Sequence, residues 1–214
     1  MAGALPLLLK GFWVTLEVSA GGLLLALVVA FWVGTAGLMP WRSLRWLAWG
    51  YVEFFRGTSL LVQLFWLYFV LPFFGVELSA LLTAILGLGL HIGAYGAEVV
   101  RGALLSLPKG QFEAAQALGL NLRQTMVRVI WPQAFPVMLP SLGNLSIELT
   151  KASSLVSLIT LADLTFQAQS LRNATFATGP IFGLVLVFYF LLSSLLAWGS
   201  KKAERQFAWR RHGL

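Results

Sequence analysis

The sequence predicts an all-α integral membrane protein of about five transmembrane helices, with a helical loop between the third and fourth. Three observations carry this. The chain is 58% hydrophobic and 11% charged over 214 residues, too few charges for an ordinary soluble domain. Several apolar runs approach the roughly 20 residues that cross about 30 Å of hydrocarbon as helix. Lipid offers no partner to backbone amides, so a spanning segment must satisfy its own. The third observation is that the cations collect in alternate loops. Unbroken runs such as 21–33 differ from the roughly 10-residue alternating strands of a membrane barrel.

The first span covers 7–33 and stops before Gly34-Thr35-Ala36-Gly37. It is too long for a secretory leader and lacks a small-x-small cleavage site, so it reads as a retained span. The second, 52–71, is closed by Pro72, and the third runs over 78–100. The fourth, 137–161, offers an interruption at Pro140, Gly143 and the serines Ser153 and Ser154, and the fifth covers 180–198. With the N-terminus outside, the inner loops and ends hold Arg42, Arg45, Arg56, Arg101, Lys109, Arg123, Arg128, Lys201, Lys202, Arg205, Arg210 and Arg211. Only Lys10 and Arg172 lie outside, and Lys151 is within the fourth span. Twelve cations against two orient the chain with the C-terminus in the cytoplasm. The net charge of +7 is thereby explained by topology, without a nucleic-acid partner. Trp13, Trp32, Trp46, Trp49, Trp66 and Trp198 include several near span ends, where indoles favour the interface.

Residues 104–136 form the largest cytoplasmic segment. Helix formers over 111–118 give a first short helix, ended by Gly119 in a left-handed conformation. A second, over 121–130, is closed by Pro132. Glu113 near a helix start, followed by the small Ala114 and Ala115, suits a surface that another protein grips.

The string EAAQALGLNLRQTMVRVIWP resembles the EAA loop of ABC importer membrane subunits. Glu113, Ala114, Ala115, Gly119 and Pro132 match that pattern; Val129 and Trp131 replace its isoleucine and leucine. The stretch from Arg56 to Phe65 resembles the RGTPLLVQLF segment of polar amino acid permeases of the histidine/glutamine type. Gly93 to Ala103, Pro108 to Gln111, and Leu139 to Ser157 resemble further segments of the same family, with Ala152 where the family has an acid. The resemblance implies a single permease domain over 1–214 in a bacterial or archaeal cytoplasmic membrane. It implies a coupling loop that docks on an ATPase dimer, a second identical or similar permease subunit, and an extracytoplasmic substrate-binding protein. ATP and magnesium would belong to the ATPase, leaving no cofactor, metal or catalytic residue on this chain.

Ionisable groups deep in a membrane usually face a cavity or one another. Asn144, Glu148 and Lys151 lie about 7, 11 and 14 residues into the fourth span, at depths of roughly 10–21 Å. Glu148 and Lys151 either neutralise each other or line the pathway, with Ser153 and Ser154 meeting other polar groups of a substrate. Gln63 and His91 are weaker pathway candidates. Glu98 and Arg101, three residues apart, predict an ion pair at the inner boundary. Gly87, Gly89, Gly93 and Gly96 predict close helix packing, and no Gly-Lys-Ser/Thr follows them to make a phosphate loop. Residues 161–179, with Asp163, Gln167, Gln169, Arg172 and Asn173, offer an outer docking surface. The strings LADLT and LRNAT resemble permeases for basic amino acids and for compatible solutes such as ectoine. The rival classes are a passive channel or assembly factor, which would not need Glu113 or Gly119, and an intramembrane enzyme using Glu98, His91 and Glu148.

Overall fold

The computed structural model describes residues 4–208; Arg210 and Arg211, assigned above to the cytoplasm, lie outside them. Among the described residues the chain is helical with no strand. Helix α1 is Ala4–Ala36, α2 is Arg42–Gly57, and α3 is Leu60–Phe65, continued by a π turn (Trp66–Val70) and a 3-10 turn (Leu71–Phe74). Helix α4 is Ala80–Leu105, α5 is Lys109–Ala117 and α6 is Leu122–Thr125. A π turn, Met126–Ile130, leads into α7 (Trp131–Ala152), which ends in a 3-10 turn over Ser153–Ile159. Helices α8 (Leu164–Thr175) and α9 (Thr178–Ala208) complete the chain. By length and composition α1, α4 and α9 can each cross a membrane, and two bent pairs bring the number to five.

The centre is the pairing of α1 with α4. The two helices run parallel, and glycine lets them approach closely. A side chain at Gly93 would stand 2.8 Å from Val29, and one at Gly34 would stand 2.7 Å from the backbone oxygen of Ala97. Apolar side chains alone give no drive to associate inside lipid, so this backbone proximity is the adhesive. Leu64, Leu88 and Leu149 bring α3, α4 and α7 into one buried cluster with Val18 of α1. Ala134 and Met138 of α7 join Ala30, Val100 and Leu104 at the far ends of α1 and α4. A third cluster joins Leu8 of α1 to Leu164 and Ala168 of α8 and Ile181 and Val185 of α9. The bundle thus has two poles. One holds the start of α1 with α8; the other holds the ends of α1 and α4, helices α5 and α6, and the end of α9 against α7, where Gly143 abuts Ser200.

Three expectations change. Residues 52–71 are not one helix: the chain breaks at Thr58-Ser59, and α2 meets the 60–74 stretch at 102°. The glutamine network described below takes up the polar backbone groups at this break. Pro132 does not close a helix either. It stands in the first turn of α7, where its missing N–H costs little. The preceding π turn, with Trp131 N–H donating to the carbonyl of Met126, carries the chain through without a stop. Finally, of the interruptions expected in the fourth span, Pro140 and Gly143 leave α7 helical, whereas the winding does change at the serines, from Ser153 on. The 161–179 segment, expected on the outside, is itself largely a helix, α8, capped by Asp163, whose Oδ1 accepts from the Phe166 N–H at 2.9 Å. Asp163 is fully buried, which removes it from any docking surface.

Candidate functional site

Helices α5 and α6 form a rigid corner. Gly119 has φ of +72°, and its N–H donates to Gln116 while Leu120 N–H donates to Ala115. This is the paired closure in which glycine avoids the clash of a left-handed residue bearing a side chain. Asn121 then opens α6 with a reciprocal cap: its side chain accepts from Gln124 N–H, and the Gln124 side chain accepts from Asn121 N–H. Gln133 Nε2 donates to Gln111 Oε1 at 3.2 Å, tying α7 to α5. Trp131 packs on Phe31 of α1, with ring centroids 5.4 Å apart. Glu113 and Ala114 face outward, whereas Ala115 is buried against the chain itself. The outward face therefore comprises Glu113 and Ala114, with Leu118 (79% exposed), Leu122 and Val127 beside the corner.

Asn144, Glu148 and Lys151 are all exposed and lie along one face of α7, with Ser141 a turn before them. Spacings of three and four residues place them in one stripe. Glu148 and Lys151 do not pair: among the described residues the ion pairs are Arg101–Glu98 at 2.8 Å and Arg56–Glu98 at 4.0 Å. An exposed stripe of amide, carboxylate and ammonium on a membrane-spanning helix is suited to a polar solute or to a polar partner surface. Ser153 is fully buried, and its hydroxyl donates to the Thr150 carbonyl at 2.7 Å. It is a helix-end residue, set apart from this face. Ser154, half-buried, donates to the Lys151 carbonyl at 2.9 Å and keeps its lone pairs free to accept.

Gln63 is placed differently from the expectation. It is buried, and its Nε2 donates to Thr58 Oγ1 at 2.6 Å and to the Phe55 carbonyl at 3.1 Å. Its Oε1 is 3.1 Å from His91 Nδ1. This side chain stitches the break between α2 and α3 and pins it to α4, so its role is structural. The periodicity of the sequence carries no trace of this network, since its members are 28 or more residues from His91. Arg56 lies 5.4 Å from the centroid of the Tyr95 ring while facing Glu98, adding a second clasp between α2 and α4. Only the Glu98–Arg101 half of that clasp is legible from spacing. Glycines at 87, 89, 93 and 96 do mark close packing, as expected.

Residues 22–202 match the model of the binding-protein-dependent transport system inner membrane component family. The chain belongs to that family. Among its relatives, a probable amino-acid ABC transporter permease protein, y4tF of Sinorhizobium fredii, is 41% identical over 95% of this chain and 88% of its own length. The glutamine transport system permease protein GlnP of Escherichia coli is 37% identical over 95% of this chain and 94% of its own. Among solved structures, an amino acid ABC transporter with histidines superposes with a TM-score of 0.89 at 30% identity, covering 96% of each chain. The MetNI methionine ABC transporter shares the fold, with a TM-score of 0.80 at 23% identity over 94% of this chain and 96% of its own.

Proposed function

We infer that this permease subunit serves an ATP-driven importer whose cargo is a polar or basic amino acid. The observation that carries this reading is the unpaired Asn144–Glu148–Lys151 stripe on α7, joined without a break to the α5–α6 corner. An amino acid carries an ammonium and a carboxylate, and the stripe offers one charge of each sign for them. Glu148 meets the ammonium, Lys151 the carboxylate, and Asn144 supplies an amide to either. The relatives named for glutamine and amino-acid transport support this class of cargo.

Transport needs no covalent chemistry on this chain. A second permease copy or paralogue faces the stripe across the pathway. An extracytoplasmic binding protein delivers cargo, and a separate ATPase dimer holds ATP and magnesium. Closure of that dimer pushes on Glu113, Ala114 and the apolar corner. Because Gly119, the Asn121 cap and the Gln111–Gln133 bond fix the corner to α7, the push becomes tilting of the helix that carries the stripe. The chain sits in the cytoplasmic membrane with its N-terminus outside. The pole carrying the α5–α6 corner has Arg101, Lys109, Arg123, Arg128, Lys201, Lys202 and Arg205, against Lys10 and Arg172 at the other.

The test is purification of the tagged chain from native membranes in mild detergent. The ATPase is expected to co-purify with the parent chain and to be lost with Glu113→Lys, which places a cation where a partner arginine is met. Uptake by the reconstituted complex would then be compared for glutamine, arginine, cystine and ectoine. A chain that co-purifies with no ATPase, or transports with Glu113→Lys at the parent rate, overturns the coupling assignment.

A further inference from the structure

The observations that Proposed function leaves unused concentrate on α2. Its sixteen residues bury only Ala48 and Val52. Trp41, Trp46, Leu47 and Trp49 are 69%, 67%, 71% and 57% exposed, and Arg42 and Arg45 are exposed among them. The helix does not continue into the 60–74 stretch but turns from it by 102°. Its tertiary partners fix its depth. The Tyr51 hydroxyl donates to the carbonyl of Leu90, Arg56 faces Tyr95 and Glu98, and Arg45 and Trp49 share a cleft with Gly37 and Arg101. Tyr95, Glu98 and Arg101 lie in the last three turns of α4 and Gly37 just beyond the end of α1, all but Leu90 within about 10 Å of the inner boundary expected near residue 100. A helix so placed, with tryptophans and arginines outward, has the make-up of one lying in the membrane interface.

Charge selects the occupant. No acidic residue occurs between Glu17 and Glu53. Glu98 is engaged by Arg101 and Arg56, and neither Arg42 nor Arg45 has an acidic partner among the described residues. The cleft between α1, α2 and α4 has a volume of about 310 Å³ and is walled by Arg45, Trp49, Glu53, Glu98 and Arg101. Glu98 is neutralised by Arg101 and Arg56, and Glu53 stands roughly 12 Å along the helix from Arg45, leaving the Arg42–Arg45 end of α2 cationic. We propose that α2 is an interfacial anchor that binds anionic phospholipid of the cytoplasmic leaflet. Arg45 takes the headgroup phosphate at the cleft, Arg42 adds a second cationic contact, and Trp46 and Trp49 lie against the upper acyl chains. The leaflet named here rests on the orientation given above; the lipid site itself rests on α2.

The chain has no cysteine, so Trp46→Cys carries a single fluorescent label. The full-length chain would be placed in nanodiscs of phosphatidylcholine, with or without phosphatidylglycerol. The label should be quenched more strongly by bromine on the upper acyl chain than by bromine near the chain end. Native mass spectrometry should show phosphatidylglycerol retained by the parent chain, reduced about tenfold by Arg42→Gln with Arg45→Gln, and restored by Arg45→Lys in the Arg42→Gln background. Retention of both lipids alike overturns the assignment to anionic phospholipid. A label that no lipid quenches, but that a second permease copy shields, assigns the face to a permease interface and overturns the anchor. If the glutamine variants do not fold, the lipid preference and quenching depth of the labelled chain decide alone. The leaflet is tested separately with a membrane-impermeant thiol reagent on sealed vesicles. Reaction of Trp46→Cys from outside, with lipid quenching intact, overturns the orientation and leaves the lipid site standing.

Discussion

Gln63 shows how one side chain holds a helix break together. At Thr58-Ser59 the backbone leaves helical geometry beside the buried Gln63 amide, and a buried polar group left unmatched there costs roughly 1–3 kcal/mol. Gln63 supplies the Phe55 carbonyl and the Thr58 hydroxyl from its amide nitrogen and reaches His91 with its oxygen. Gln63→Leu should therefore lower stability by about 2 kcal/mol, read as a fall in the melting temperature of the detergent-solubilised chain. His91→Ala should cost less, because it removes one of these contacts. Glu148→Gln is expected to behave in the opposite way, leaving melting unchanged while raising the KM for cationic cargo in reconstituted vesicles. An unchanged KM for every amino acid would remove Glu148 from the pathway. Of the two sequence alternatives for Glu148, pairing with Lys151 is absent among the described residues, and the carboxylate is exposed on α7. The burial of Ser153 was not legible, since a hydroxyl that satisfies its own helix end looks the same in sequence as one facing a solute.

Elements divide by how local their cause is. The corner between α5 and α6 follows from signals within a dozen residues, Gly119 and the Asn121–Gln124 cap; the first short helix is found as read, whereas the second runs on through the π turn into α7. Pro132 misled because a proline ends a helix only where its nitrogen would have been a donor in the interior; at the start of α7, after a widened turn, that constraint vanishes. The second span misled for the converse reason. Apolar composition runs continuously through 60–74, and the bend at Thr58-Ser59 is fixed by α4, which lies some 30 residues away. The α1–α4 seam was legible in its glycines, and it yields a direct expectation. Gly34→Leu puts carbon within 2.7 Å of a backbone oxygen that cannot move aside. This should cost about 3 kcal/mol or more and abolish membrane accumulation of the chain, assayed by blotting membrane fractions. Gly110→Leu, in open space, should accumulate normally.

At the scale of the whole molecule, two poles emerge from the alternation of helix directions, and the cations gather at the one that holds the α5–α6 corner. Single cysteines replacing Arg172 and Lys201 should react with an impermeant reagent from opposite sides of a sealed vesicle, Arg172→Cys from the outside. Reaction from the same side would break the five-crossing arrangement. The π turn at Met126–Ile130 adds a consequence of its own. It joins the corner to the polar stripe, and its five-residue closure sets the azimuth of everything that follows on α7. Each residue of helix advances the phase by about 100°. Losing or gaining one residue in this joint would swing Asn144, Glu148 and Lys151 more than a quarter of the way round the helix, toward neighbouring helices or lipid, with every side chain intact. The joint acts as an indexing key between the outward corner and the stripe, so its length should tolerate far less change than its composition.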